Sequence, residues 1–166
     1  DLLIVNAEEL LTLADGGLKP RTGRQMHELG IVRDGAVAIR EGRIVAVGKT
    51  RDVTKAFRAE NVISAKGKVV LPGFVDPHTH LVFAGSREDE FQRRVEGASH
   101  MEILSSGGDT LKIVKETRRA KVEKLVDFGL ERLDAMLAHG TTTLEAKSGY
   151  GLSTADELKI LEATRR

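Results

Sequence analysis

The chain has 166 residues, about one average domain by length, and its 40% hydrophobic and 31% charged content excludes wholesale disorder. Twenty-six Lys and Arg against 25 Asp and Glu leave a net charge of +1, and aromatics are only 4% with no Trp. The chain therefore lacks both the basic excess and the stacking residues that nucleic-acid binding uses. Without cysteine there is no disulfide framework, no zinc–thiolate site and no thiol nucleophile. No apolar run approaches the roughly 18 residues of a membrane span. The opening Asp1-Leu2-Leu3-Ile4-Val5 has no basic n-region of a signal peptide. The expectation is a cytoplasmic protein with no nucleic-acid or membrane partner.

Up to about residue 70 the apolar runs are short and β-like. Leu2 to Val5 reads as a strand, and Asp15-Gly16-Gly17 and Pro20 to Gly23 punctuate a loop. Ala36–Arg40 and Ile44–Gly48, joined through Glu41-Gly42-Arg43, predict a β-hairpin. Val62-Ile63 and Lys68 to Leu71 add short strands around Gly67. Residues 1–70 are thus expected to form a small, largely antiparallel β domain.

From Leu71 the pattern becomes strand then helix, twice. Gly73 to Asp76 predicts a short strand closed by Pro77. Thr110 to Arg119 predicts a helix with Leu111, Val114 and Arg118 on one side. Val122, Val126, Gly129, Leu133, Met136 and Leu137 form a helical stripe, ended at His139-Gly140 by a glycine C-cap. Thr141 to Ala146 reads as a β-branched strand, and Gly149 and Gly151 mark the loop after it. Ser153 or Thr154 caps a last helix, with Thr154 and Glu157 at capping-box spacing and Leu158 and Leu161 on one face. Residues 71–166 follow the grammar of a parallel α/β fold. That helix runs to Arg165-Arg166 with no stop signal, so a continuing domain is expected; a complete (β/α)₈ barrel takes about 250 residues.

The sharpest chemical feature is Asp76-Pro77-His78-Thr79-His80. Side chains two apart on a strand share a face. Two imidazoles roughly 6.5 Å apart along the backbone can close on one metal ion. A bare His-x-His is common by chance, but this one ends a buried, proline-framed apolar strand, where unpaired imidazoles are costly. The C-terminal end of such a strand is also where α/β folds place active sites. Asp76 shares the face of His78 and is a candidate for orienting a ligand.

"LPGFVDPHTHLVF" resembles the first barrel strand of the metal-dependent amidohydrolase superfamily, whose members pair a small β-sandwich with a (β/α)₈ barrel. "DPHTHLVFAGSREDEF", "GTTTLEAKSGYGL" and "ELKILEATRR" resemble, more narrowly, the imidazolonepropionase family, from about Asp34 to the C-terminus. The resemblance implies a fold of small β-sandwich-like domain plus the first βα units of an incomplete TIM (β/α)₈ barrel. It implies His78 and His80 as ligands of one divalent ion, zinc or iron. Arg87 matches the family arginine for the substrate carboxylate, a role its planar fork suits; the alternative is a surface arginine paired with Glu88, Asp89 or Glu90. Tyr150 matches a substrate-contacting tyrosine; the alternative is a loop tyrosine covering apolar surface.

The implied reaction is hydrolysis of the small molecule 4-imidazolone-5-propanoate to N-formimidoyl-L-glutamate, in histidine degradation. The general acid/base and remaining ligands are expected beyond residue 166, and a homodimer stays possible. The alternatives are another cyclic amidohydrolase or a deaminase of the superfamily, or an inactive fragment lacking the remaining metal ligands. Lys147, alternating with Glu145, is expected to be a structural charge near the site, and His139 a helix-terminal residue. His27 has no visible partner. His100 stands where the family more usually has Tyr, and Gly107-Gly108 is a weak anion signal.

Overall fold

The computed structural model describes residues 1–14, 20–106 and 110–166. The Asp15-Gly16-Gly17 punctuation and the Gly107-Gly108 signal lie outside the described residues. The chain divides into two compact units, Asp1–Pro72 and Gly73–Arg166.

The first unit is a five-stranded sheet with one short helix. In chain order it contains β1 (Leu2–Leu11), a 3₁₀ turn at Gly23–His27, β2 (Ile31–Arg40), β3 (Arg43–Lys49), α1 (Thr50–Ala56), β4 (Asn61–Ser64) and β5 (Val69–Val70). The strand order is β3-β2-β1-β4, with β5 also on β1. The predicted hairpin is β2–β3, with Arg40 opposite Arg43. Its two linking residues, Glu41 (φ 51°) and Gly42 (φ 72°), both take positive φ, as a turn matching the strand twist requires. The long strands β1, β2 and β3 pair antiparallel as expected, and the short β4 and β5 add parallel pairing to β1, which makes the sheet mixed. His27 closes the 3₁₀ turn.

Alternation along β1 and β2 sends side chains to both faces of the sheet, and each face packs its own cluster. Leu3, Val5, Ala36 and Ala38 pack with Val53 of α1. Ala7, Leu10, Val37 and Ala65 form the other cluster.

The second unit contains β6 (Phe74–Thr79), α2 (Glu88–Val95), α3 (His100–Ser105), α4 (Thr110–Arg119), α5 (Val122–Ala138), β7 (Thr141–Ala146) and α6 (Thr154–Arg165). Strands β6 and β7 pair in parallel, with Phe74 opposite Thr141 and Thr79 opposite Ala146. The helices between them form the crossover that parallel pairing needs. Strand β6 continues through Pro77 to Thr79, beyond its expected end at Asp76. Thr79 Oγ1 donates to Glu145 O (2.7 Å) and Lys147 N to Thr79 O (2.8 Å), zipping the two strand ends together.

The core of this unit is Leu81, Val82, Ala84, Leu125, Ile160 and Ala163. Two expected helix faces shift, on α4 and α6, while the stripe of α5 holds apart from Leu137. On α4 the buried residues are Ile113, Val114 and Thr117, while Leu111 is exposed. On α5 Gly129 is buried with Leu125, and Val122, Val126, Leu133 and Met136 pack on the core, while Leu137 faces out. On α6 Ile160 and Ala163 are buried, whereas Leu158 and Leu161 are exposed. The buried Thr117 hydroxyl accepts from Ala84 N (3.0 Å). It thereby satisfies an N–H whose isolation in the core would cost about 1–3 kcal/mol.

The turn after α5 follows the sequence closely. His139 is its C-cap, Gly140 has φ 93°, and Gly140 N donates to Leu137 O. His139 Nδ1 lies 2.7 Å from Ala135 O.

Candidate metal site

The site gathers at the C-terminal ends of β6 and β7. His78 is the fifth residue of β6 and His80 follows its end, so the period of two puts both on one side. Their ring centroids are 5.6 Å apart with planes tilted by 59°. His78 is exposed and His80 half-buried. His80 Nδ1 is buried and has no hydrogen-bond partner, a costly condition for a polar atom. Two adjacent imidazoles, one with an orphaned nitrogen, fit a divalent ion that takes nitrogen donors. Among the described residues no group of three or more His, Cys, Asp or Glu is placed to hold a metal. Two adjacent imidazoles are thus one donor short of the three protein ligands that catalytic metal sites include.

Asp76 takes a different part from the one its position predicts. Its Oδ1 accepts from His78 N (3.2 Å), so it bonds the strand backbone at the first imidazole rather than a ring nitrogen. Lys147 Nζ pairs with Glu145 Oε1 (2.7 Å). The Lys147 bond, opposed in part by burial and helped by the charges of Lys147 and His78, holds the Glu145 carboxyl below its usual range. His100 opens α3.

Tyr150 is brought to the pair. Its ring centroid lies 5.0 Å from that of His80 and 5.3 Å from that of Phe83, edge-on to the latter. It is half-buried, packed between the imidazole and an aromatic neighbour. Arg132 of α5 extends the stack, with its guanidinium 3.7 Å from the Phe83 centroid and Nη1 donating to Leu81 O (2.8 Å) and Phe83 O (3.0 Å). Burial lowers the Arg132 pKa. Arg132 and Phe83 were not foreseen: an arginine beside a helix stripe reads as solvated until its cation–π partner is known.

Arg87 is the residue just before α2. Its Nε and Nη2 donate to Glu90 Oε2 at 3.0 and 2.8 Å, and Glu90 is buried. A carboxylate thus already sits in the fork, as the paired-arginine alternative expects.

The loop between β7 and α6 is held from several sides. Glu157 Oε1 accepts from Gly151 N (2.9 Å) and Leu152 N (2.7 Å). Arg118 Nε donates to Gly151 O (2.6 Å) and pairs with Asp156 (3.4 Å). The helix cap is Ser153, whose hydroxyl accepts from Asp156 N (3.2 Å) and donates to Asp156 Oδ2 (2.6 Å). The expected Thr154–Glu157 box is therefore replaced by Ser153–Asp156, which leaves Glu157 to the loop. Burial raises the Glu157 carboxyl, but the Leu152 N–H, the Ser148 hydroxyl and the Gly151 and Gly149 N–H groups outweigh it and hold it below the usual range.

The comparisons agree with this architecture. A family model described as "Amidohydrolase family" matches residues 61–101, and one described as "Imidazolonepropionase-like composite domain, bacteria" matches residues 35–59. A protein named imidazolonepropionase from Symbiobacterium thermophilum is 52% identical over 168 residues, covering 99% of this chain and 39% of that protein. Among solved structures, the guanine deaminase of E. coli aligns with a TM-score of 0.65 at 17% identity, covering 98% of this chain and 34% of that one. An adenosine deaminase from Xanthomonas campestris, solved with bound zinc, aligns with a TM-score of 0.63 at 22% identity, covering 99% and 31%. The chain spans about two-fifths of the length of the curated relatives it matches. By sequence and fold it corresponds to the N-terminal part of the imidazolonepropionases, within the amidohydrolase superfamily.

Proposed function

We propose that the chain forms the N-terminal part of a metal-dependent hydrolase that opens 4-imidazolone-5-propanoate with water to give N-formimidoyl-L-glutamate, a step of histidine degradation. The observation that carries this reading is 52% identity to an imidazolonepropionase across 99% of the chain, with His78 and His80 side by side at the end of β6. On this reading residues 71–166 supply the first two βα units of an incomplete (β/α)₈ barrel, and residues 1–70 a small β-sandwich-like domain. Active sites of such barrels lie at the C-terminal ends of the strands, the end of β6 where the two histidines sit.

His78 and His80 would hold one divalent ion, zinc or iron, which would supply Lewis-acid chemistry for hydrolysis. Arg87 binds the propionate, exchanging its Glu90 contact for the substrate carboxylate. Anchoring the unreactive end orients the reacting ring carbon. Tyr150, stacked on His80, walls one side of the substrate's seat. A catalytic site of this kind takes a third protein ligand beside the two imidazoles, and no such group of three is placed among the described residues. The working protein is cytoplasmic, acts on a small molecule, and is compatible with a homodimer.

The test is ring opening by the full-length protein carrying this chain, supplied with zinc or iron and followed by product mass. The expected result is turnover that His78→Ala abolishes. Failure to open the ring, or undiminished turnover in His78→Ala, overturns the proposal.

A further inference from the structure

Gly149, Tyr150 and Gly151 lie between the His80 ring and the first turn of α6. A β-carbon on Gly149 (φ 146°) would sit 2.7 Å from His80 Cε1 and 3.2 Å from Nδ1, so the bare backbone rests on the imidazole edge. A β-carbon on Gly151 would sit 2.6 Å from Glu157 N, so the other end of the segment is pressed against the helix. Next in the chain, Leu152 takes φ 52°, a left-handed conformation that a leucine keeps only when its surroundings hold it there. The group at hand is the Glu157 carboxylate, which takes the N–H groups of both Gly151 and Leu152 on one oxygen. Charge-assisted bonds of this kind are among the stronger ones.

We infer that Glu157 is a positioning residue for the candidate site: its carboxylate clasps the loop so that Gly149 and Tyr150 stay against His80. The inference deepens the functional reading and rests on it for the importance of His80. The clasp acts at one remove, through Gly151 and Leu152 to Tyr150 and then to the imidazole. Arg118 holds the same loop by the opposite group, the Gly151 carbonyl. That leaves the two N–H groups to Glu157.

Composition supplies the reporter. Tyr150 is the only tyrosine and there is no tryptophan, so intrinsic fluorescence of the 166-residue chain reports this loop alone. The experiment compares acrylamide quenching of Tyr150 in the metal-free chain for wild type, Glu157→Ala and Glu157→Gln, with far-UV circular dichroism alongside. Glu162→Gln, on the same helix but bonded to Arg166, controls for helix charge. Glu157→Ala is expected to raise the quenching constant about twofold or more as the loop opens locally. Glu157→Gln, which keeps one carbonyl oxygen for the two N–H groups, falls between, and Glu162→Gln matches wild type. Unchanged quenching in Glu157→Ala with its helical signal intact overturns the inference. So does loss of the fold in both Glu157 variants, which makes the residue merely structural. Because the readout needs neither metal nor turnover, it separates failure of the clasp from failure of the hydrolase reading.

Discussion

Gly149 lies directly against the His80 imidazole, with a would-be β-carbon 2.7 Å from Cε1. Real β-carbons do not approach so closely, and the φ of 146° disfavours a side chain as well. Gly149→Ala is therefore expected to push the loop off His80 and to destabilise the second unit by about 1–3 kcal/mol. Urea unfolding followed by Tyr150 fluorescence measures both effects. An alanine variant with wild-type midpoint and quenching would show that the loop tolerates the methyl.

Arg132 ties the segment after His80 to α5 by two bonds to backbone carbonyls and by stacking on Phe83. Arg132→Ala leaves the Leu81 and Phe83 carbonyls without this partner and removes the cation from the ring. The expected loss is about 3 kcal/mol. Arg132→Lys keeps a charge but not the planar fork, so it should recover only part. A denaturation series that ranks lysine equal to arginine would reduce the role of Arg132 to charge alone.

The Glu157 carboxyl carries a pH signature. It is held below its usual range in the fold, so between that value and the ordinary one of about 4.3 the unfolded chain binds the proton more readily. Its contribution is present in full above the unfolded pKa and is lost as pH falls through the folded one. The stability advantage of wild type over Glu157→Gln should therefore be flat near neutrality and shrink below about pH 4. Asp156, also held low, first by its Ser153 bond and then by Lys159, is common to both proteins and cancels in the difference. An advantage that stays constant into acid would assign it to shape rather than charge.

The elements most legible in the sequence were those with local rules. The β2–β3 hairpin follows from β-branched runs around Glu41-Gly42, helix α5 from its apolar period, and its end from His139-Gly140. Helix α2 was not legible because its sequence buries Glu90 while Phe91 and Val95 face out, which inverts the usual pattern. The parallel placement of β4 and β5 on β1 leaves no mark in alternation, because alternation is the same in either direction. At the site, His78 and His80 declared themselves by spacing on a strand. Glu157 did not, because a carboxylate in a first helical turn reads as a cap until the loop folds back onto it. Nor did the order within the Gly149-Tyr150-Gly151 triplet reveal that each glycine faces a different neighbour, His80 on one side and α6 on the other.

Arg87 offers the most direct test of how substrate is held. Its guanidinium already meets the buried carboxylate of Glu90 through two nitrogens, so a propionate must compete with a partner three residues away. If Arg87 anchors the substrate, Arg87→Lys in the full-length protein raises KM by about tenfold or more, the cost of losing a bidentate fork. Glu90→Gln weakens the competing contact without removing the side chain, and should lower KM or leave it unchanged. A merely structural pair behaves differently. Both substitutions then lower stability, Arg87→Lys because it loosens the partner of the buried Glu90 carboxylate and Glu90→Gln because it weakens the same bond, while KM stays at the wild-type value. Steady-state kinetics on 4-imidazolone-5-propanoate, set beside thermal unfolding of the same variants, separates the two. A raised KM in Arg87→Lys that Glu90→Gln does not share assigns Arg87 to the substrate, and parallel losses of stability at constant KM assign it to α2.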